Sequence, residues 1–201
     1  MKFLIFISCL FVSSCSIEKN KKYRENNHFK SYIDLKFSEV VRQDFDVSCG
    51  LASLTGVLID GYGVDVTEGE LLDIIGLKIN YSFSDLKYLA GEYNKISLPL
   101  WMTYEKLMSI ESPAILYIKR KGIDHFVSLN HIDEFTIQIK DPAWGMLNYT
   151  REQFESYWAI DNNEMGKVLV FISQSKKIEK EPIYTKFINI NDFICVTRGC
   201  E

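Results

Sequence analysis

The chain has 201 residues, 47% of them hydrophobic and 13% aromatic, which is enough apolar material for one core and a length that suits one domain. Its formal net charge of −4 argues against nucleic acid as a partner, because phosphate binding needs a basic stripe. It carries neither a Gly-x-x-x-x-Gly-Lys-Ser/Thr phosphate loop nor a His-Glu-x-x-His zinc pair, so no nucleotide, cofactor or metal is expected.

Met1 and Lys2 precede an apolar run from Phe3 to Val12, broken only by Ser8 and followed by Ser13-Ser14-Cys15. The run falls far below the ~20 residues that span a bilayer, so residues 1–14 read as a signal peptide and the chain as exported. Small residues directly before Cys15 form a lipobox pattern, in which that cysteine is lipidated and becomes the mature N-terminus. The alternative is an ordinary signal peptide in which Cys15 is incidental. Residues 15–31 are rich in charge and poor in apolar groups, and read as a solvated tether with a reach of about 20 Å if flexible. It would hang the domain just off a membrane.

The segment Gln43-Asp44-Phe45-Asp46-Val47-Ser48-Cys49-Gly50 runs into the apolar stretch Leu51 to Ile59. A helix is predicted from Cys49 to about Asp60, stopping at Gly61-Tyr62-Gly63. Thr67-Glu68-Gly69-Glu70 is a capping box that opens a helix through Ile75. Ser84-Asp85 starts another helix, and Thr103 to Ser109 forms a fourth. The period then changes: Ala114 to Lys119, His125 to His131, Phe135 to Lys140 and Lys167 to Ile172 are β-rich, with turns at Lys121-Gly122 and Asp133-Glu134. Thr150-Arg151-Glu152-Gln153 caps one more short helix through Trp158. Helices first and an antiparallel sheet after is an α+β pattern for a domain at 32–173, with a C-terminal extension at 174–201.

Cys49 opens its helix, where unpaired N–H groups and the macrodipole favour a thiolate, the nucleophilic form. Gly50 leaves room beside the sulfur. Of three histidines, His28 lies in the tether and His131 beside a turn, which leaves His125 as the candidate base. His125 and His131 are six apart, so an unbroken strand would put them on one face but about 20 Å from each other. Asp141 ends the strand after the hairpin, which brings it back towards His125, and Pro142 holds it extended. Its rivals are Asp124, on the opposite face from His125, and Asp133, in the turn. Trp144 reads either as a shield of the site or as a core aromatic.

Gln43 with Ser48-Cys49-Gly50, Tyr62-Gly63, His125-Phe126-Val127 and Asp141-Pro142-Ala143-Trp144-Gly145 together resemble the double-glycine, bacteriocin-processing cysteine peptidases, a papain-like family. The likeness runs from about Val40 to about Phe171. It implies a papain-like fold, with Cys49 as nucleophile, His125 as general base and acid, Asp141 as the group orienting the imidazole, and Gln43 as an oxyanion donor. Fixed donors suit that reaction, because acyl transfer to a thiol forms a tetrahedral oxyanion, which a side-chain amide and the Cys49 N–H would hold. The expected partner is a precursor or leader peptide cut after a Gly-Gly-like pair. The alternatives are a non-hydrolytic peptide-binding module and a transglutaminase-like acyl transferase. Members fused to transporters also carry membrane and ATPase parts, and their lack here points to maturation of a periplasmic or secreted protein.

Ser16 after Cys15, where Asp would signal inner-membrane retention, favours an outer-membrane lipoprotein facing the periplasm if the cell has two membranes. Of five cysteines, Cys9 leaves with the signal peptide, Cys15 takes the lipid and Cys49 stays free. Cys195 and Cys200 then either close a small disulfide loop in an oxidising compartment or remain two unpaired thiols.

Overall fold

The computed structural model describes residues 31–159 and 164–172. The expectations for the signal peptide, the tether, His28, Cys15, Cys195, Cys200 and the extension from residue 174 lie outside the described residues. The chain divides into two units, residues 1–35 and 36–201. A short helix α1, Tyr32–Lys36, opens the described residues.

Helix α2, Cys49–Tyr62, is buried at every position from Cys49 to Leu58, as an apolar helix must be when it is covered on all sides. It ends where Gly63 takes φ +63° and donates its N–H to Ile59 O and Leu58 O, a left-handed cap that an L side chain resists. Helix α3, Glu68–Ile75, opens with the capping box between Thr67 and Glu70. Helix α4, Phe83–Glu92, starts one residue before its predicted Ser84, because Ser82 and Asp85 form the box instead. Helices α5, Tyr104–Met108, and α6, Arg151–Trp158, begin at Thr103 and Thr150 as their caps predict.

Six strands form one antiparallel sheet in the order β1-β6-β2-β3-β4-β5. They are β1 Ser97–Met102, β2 Ala114–Arg120, β3 Ile123–Ile132, β4 Thr136–Asp141, β5 Gly145–Thr150 and β6 Gly166–Phe171. Sequence patterning missed β1 and β5, the two edges. Pro99 interrupts β1, which an edge strand tolerates because one side needs no partner. Strand β1 also precedes α5, so the division into helical and sheet halves is incomplete.

Alternation along the strands gives the sheet two apolar faces. One carries Ile115, Phe126, Leu169 and Phe171 against α2, α3 and α4. The other carries Leu116, Ile118, Val127, Ile139 and Val168 against Tyr104 and Leu107 of α5 and Phe154 and Trp158 of α6. The result is three layers with the sheet in the middle. Among the described residues, no helix is long and apolar enough to cross a membrane.

A bulge between Leu129 and His131 corrects one expectation about the histidines. Val127 and Leu129 face the α5/α6 side, and Ile132, three residues on, faces it too, so the alternation slips by one. His131 therefore lies on the opposite face from His125.

Candidate active site

Cys49 stands at the first position of α2, buried at 9% exposure and with a free thiol. Its helix is fastened to β3 beside His125: Ser53 donates its buried hydroxyl to Phe126 O at 3.1 Å. A side chain at Gly50 would press on Phe126 at 3.2 Å and on Leu86 at 3.3 Å, so the glycine allows this close packing. Phe126 also meets the rings of Phe83 and Tyr117 edge-on, with centroids 5.2 and 5.4 Å away.

His125 lies near the start of β3, and Asp141 ends β4, one step past the Ser128–Lys140 pair and so diagonally across from it. His125 Nε2 and Asp141 Oδ1 are 2.8 Å apart. The pairing of Nε2 with Asp141 leaves Nδ1 for the Cys49 thiol, which is close enough to the ring to favour its charged form. Burial opposes a charge on the imidazole and is the largest single influence. The hydrogen bonds to Asp141 and Cys49, with the attraction of both groups, outweigh it together and push His125 up to about 9. It is an imidazolium at neutral pH, the counter-charge that a thiolate needs.

Asp141 is fully buried, and its orientation is set by the chain that follows. Oδ1 accepts the N–H of Ala143 at 2.8 Å and that of Trp144 at 3.1 Å in addition to His125. Gly145 closes the turn at φ +80° against the backbone of Lys36, where a side chain would clash. Trp144 is no core aromatic: it is 52% exposed, with Lys36 Nζ 4.9 Å and Arg120 Cζ 5.4 Å from its ring.

The rival residues have other work. Asp133 is a turn former, whose Oδ1 accepts the N–H of Phe135 at 2.8 Å and of Thr136 at 2.7 Å. Asp124 is exposed and lies 3.8 Å from Lys119, and His131 is exposed and 3.9 Å from Asp133. Among the described residues, no group of three or more His, Cys, Asp or Glu converges as a metal site.

Gln43 belongs to the loop before α2 and is tied to the loop after β4, since its N–H donates to Pro142 O at 3.1 Å. Its side-chain Nε2 donates to Phe45 O at 2.8 Å, which leaves the second hydrogen of the amide for another acceptor. Sequence reasoning missed Glu68, which sits under this loop. The residue lies between the two members of a capping box, Thr67 and Glu70, and nothing in its spacing signals that its buried carboxylate accepts the Asp44 N–H from 24 positions away.

The profile of the peptidase C39 family matches residues 38–164. The probable functional amyloid protease FapD of Pseudomonas fluorescens is 24% identical over 139 residues, which cover 64% of this chain and 61% of that protein. Its counterpart in Pseudomonas aeruginosa is 25% identical over 138 residues, with the same coverage. The chain thus spans about three fifths of the length of these curated relatives. A double glycine motif protease from an AMS/PCAT transporter, solved in complex with the leader peptide, superposes with a TM-score of 0.57 at 25% identity. That match covers 66% of this chain and 89% of the other. The peptidase domain of Streptococcus ComA, a bi-functional ABC transporter, gives a TM-score of 0.57 at 18% identity, covering 67% and 98%, and shares the fold.

Proposed function

This chain belongs to the peptidase C39 family, the double-glycine cysteine peptidases its motifs resemble, and we propose that it is an exported, lipid-anchored endopeptidase that cuts protein precursors after a Gly-Gly-like pair of small residues. The observation that carries the reading is the Cys49 thiol at the head of α2 acting on the His125 ring, whose Nε2 lies 2.8 Å from the buried carboxylate of Asp141. A thiol, an imidazole and an acid in that order form a nucleophile, a proton carrier and an orienting group.

In the proposed reaction the Cys49 thiolate attacks the scissile carbonyl. The resulting oxyanion is held by the Gln43 amide and by the Cys49 N–H, since N–H groups of a helix's first turn have no intrahelical partner. His125 gives its proton to the leaving amine, then accepts one from the water that clears the thioester. Asp141 keeps the imidazole in register throughout. The likeness to a protease solved with its leader peptide supports a peptide substrate with a small-residue pair at the cut. The likeness to proteases of functional amyloid systems supports an exported protein as its owner.

The test is incubation of the purified protein with peptides that carry a single Gly-Gly pair, and with the same peptides carrying Leu-Leu there, followed by mass spectrometry. Cleavage after Gly-Gly by the wild type and none by Cys49→Ala is the expected result. Cleavage that persists in Cys49→Ala, or that ignores the pair, would refute it.

A further inference from the structure

We infer that Glu68 is a positioning residue of this active site: its buried carboxylate clamps the loop from Gln43 to Ser48 and so aims the Gln43 amide at the reacting carbonyl. The inference rests on the peptidase reading above and adds to it the group that holds the oxyanion arm in place.

Glu68 is the first residue of α3 and only 5% exposed. Its oxygens share the N–H of Asp44, at 3.1 and 3.3 Å. Among the described residues no basic side chain pairs with it. Burial pushes the carboxyl up, the Asp44 N–H and the nearby Ser48 hydroxyl only partly offset this, and the charge of Asp44 adds to it. A carboxylate kept in so costly a place without a cation serves its hydrogen bonds.

Those bonds lead to Gln43. Asp44, whose N–H Glu68 holds, directly precedes Phe45, and Ser48 closes a turn back on Phe45. The Phe45 N–H donates to Ser48 Oγ at 3.1 Å, and Phe45 O receives both the Ser48 hydroxyl at 2.8 Å and the Gln43 Nε2 at 2.8 Å. Phe45 O is therefore the anchor that turns the Gln43 amide, and Glu68 is the buried strut behind that anchor. Pro142 O fixes the Gln43 backbone from the other side at 3.1 Å. Without Glu68 the Asp44 N–H loses its acceptor and the loop loses its only carboxylate strut among the described residues. The thiol, seated on α2 and paired with His125, stays in place.

The experiment compares Glu68→Ala and Glu68→Gln, each alone and combined with Gln43→Ala, in the full chain. Turnover is read on a fluorogenic peptide ending in Gly-Gly-aminomethylcoumarin. The Cys49 thiol is read by its iodoacetamide labelling rate, and the Gln43 side-chain amide by its NMR signal. Glu68→Ala should lower kcat about tenfold to a hundredfold, within the range known for removing one oxyanion donor, with KM changed less than about twofold. Labelling of Cys49 should stay within about twofold, while the Gln43 amide signal moves to that of a solvated side chain. Glu68→Gln, whose carbonyl oxygen still accepts the Asp44 N–H, should recover most of the loss. On Gln43→Ala, Glu68→Ala should cost nothing further. An unmoved Gln43 signal in Glu68→Ala, or the same loss repeated on Gln43→Ala, would overturn the inference and leave the peptidase reading standing. A wild type whose turnover matches that of Cys49→Ala would take both down.

Discussion

Replacing Asp141 with Asn separates the two services that this carboxylate gives to His125. Oδ1 receives three N–H groups, from His125, Ala143 and Trp144, at 2.8, 2.8 and 3.1 Å. An asparagine must place its oxygen there, because its NH2 would face three donors. Orientation of the imidazole therefore survives, and the charge does not. The new Nδ2 falls where Oδ2 is now buried without a partner, at a cost to stability of about 1–3 kcal/mol. Burial, the largest influence on His125, already works against the imidazolium. With the carboxylate gone, the ring drops from about 9 towards its ordinary value of about 6.5.

Near pH 7.5 a group titrating at about 6.5 is only about one-tenth protonated, so kcat/KM on a Gly-Gly fluorogenic peptide should fall about tenfold, or ~1.4 kcal/mol. Near pH 6 most of the loss should return. Asp141→Ala removes the acceptor as well and strands the Ala143 and Trp144 N–H groups, so its activity should fall at least about a hundredfold at every pH. The assay is the pH–rate profile of wild type and both variants. An Asn variant as inactive as the Ala variant across the whole range would refute the orientation argument. An Asn profile whose alkaline limb stays near that of the wild type would refute the charge argument.

Cys49→Ala should abolish cleavage and leave the melting temperature within about 2 °C, since it removes one atom from a site at the mouth of the core. The His125 proton also couples to folding: its folded value lies above its unfolded one, so this stabilisation is complete below about pH 6.5 and lost as pH rises through about 9. The span corresponds to about 3 kcal/mol, and urea melts should show this fall in wild type and little of it in Asp141→Asn. Gly166→Ala should cost about 3 kcal/mol, because its Cβ would overlap the indole of the fully buried Trp158; an unchanged urea midpoint would contradict the packing. If Cys15 carries lipid, fractionation should leave the wild type in a salt-resistant membrane pellet and release Cys15→Ala or stall it as a precursor, whereas Cys49→Ala stays in the pellet.

Helix starts were legible because capping is local chemistry. Thr67, Thr103 and Thr150 each accept an N–H three residues on, and that reach lies within a single window of sequence. Phe83 shows the limit. Two serines flank it, and Ser82 caps because Asp85 can reach back to it. The missed strands lie at sheet edges, where burial alternates weakly: β5 is fully buried only at Gly145, and β1 carries a proline. The bulge at Asn130 was illegible for a related reason, since an inserted residue leaves the composition of a strand unchanged while it reverses every side chain beyond it.

Cys49, His125 and Asp141 stood out as candidates by type, because thiol, imidazole and carboxylate chemistry admits few substitutes, and their order along the chain matched a known pattern. What holds them did not. Asp141 is oriented by two backbone N–H groups, the Gln43 backbone is pinned by the carbonyl of Pro142, and Phe45 presents its carbonyl to the Gln43 amide. Backbone groups are the same in every sequence, so their placement is decided by tertiary structure alone. The site thus joins three separate pieces of chain, the loop before α2, the start of β3 and the turn after β4, through short bonds in which half the partners are main chain. Its reactive groups are chosen residue by residue, whereas its geometry belongs to the fold, and for that reason Glu68, a residue with no chemistry of its own in the reaction, holds the loop on which Gln43 is aimed.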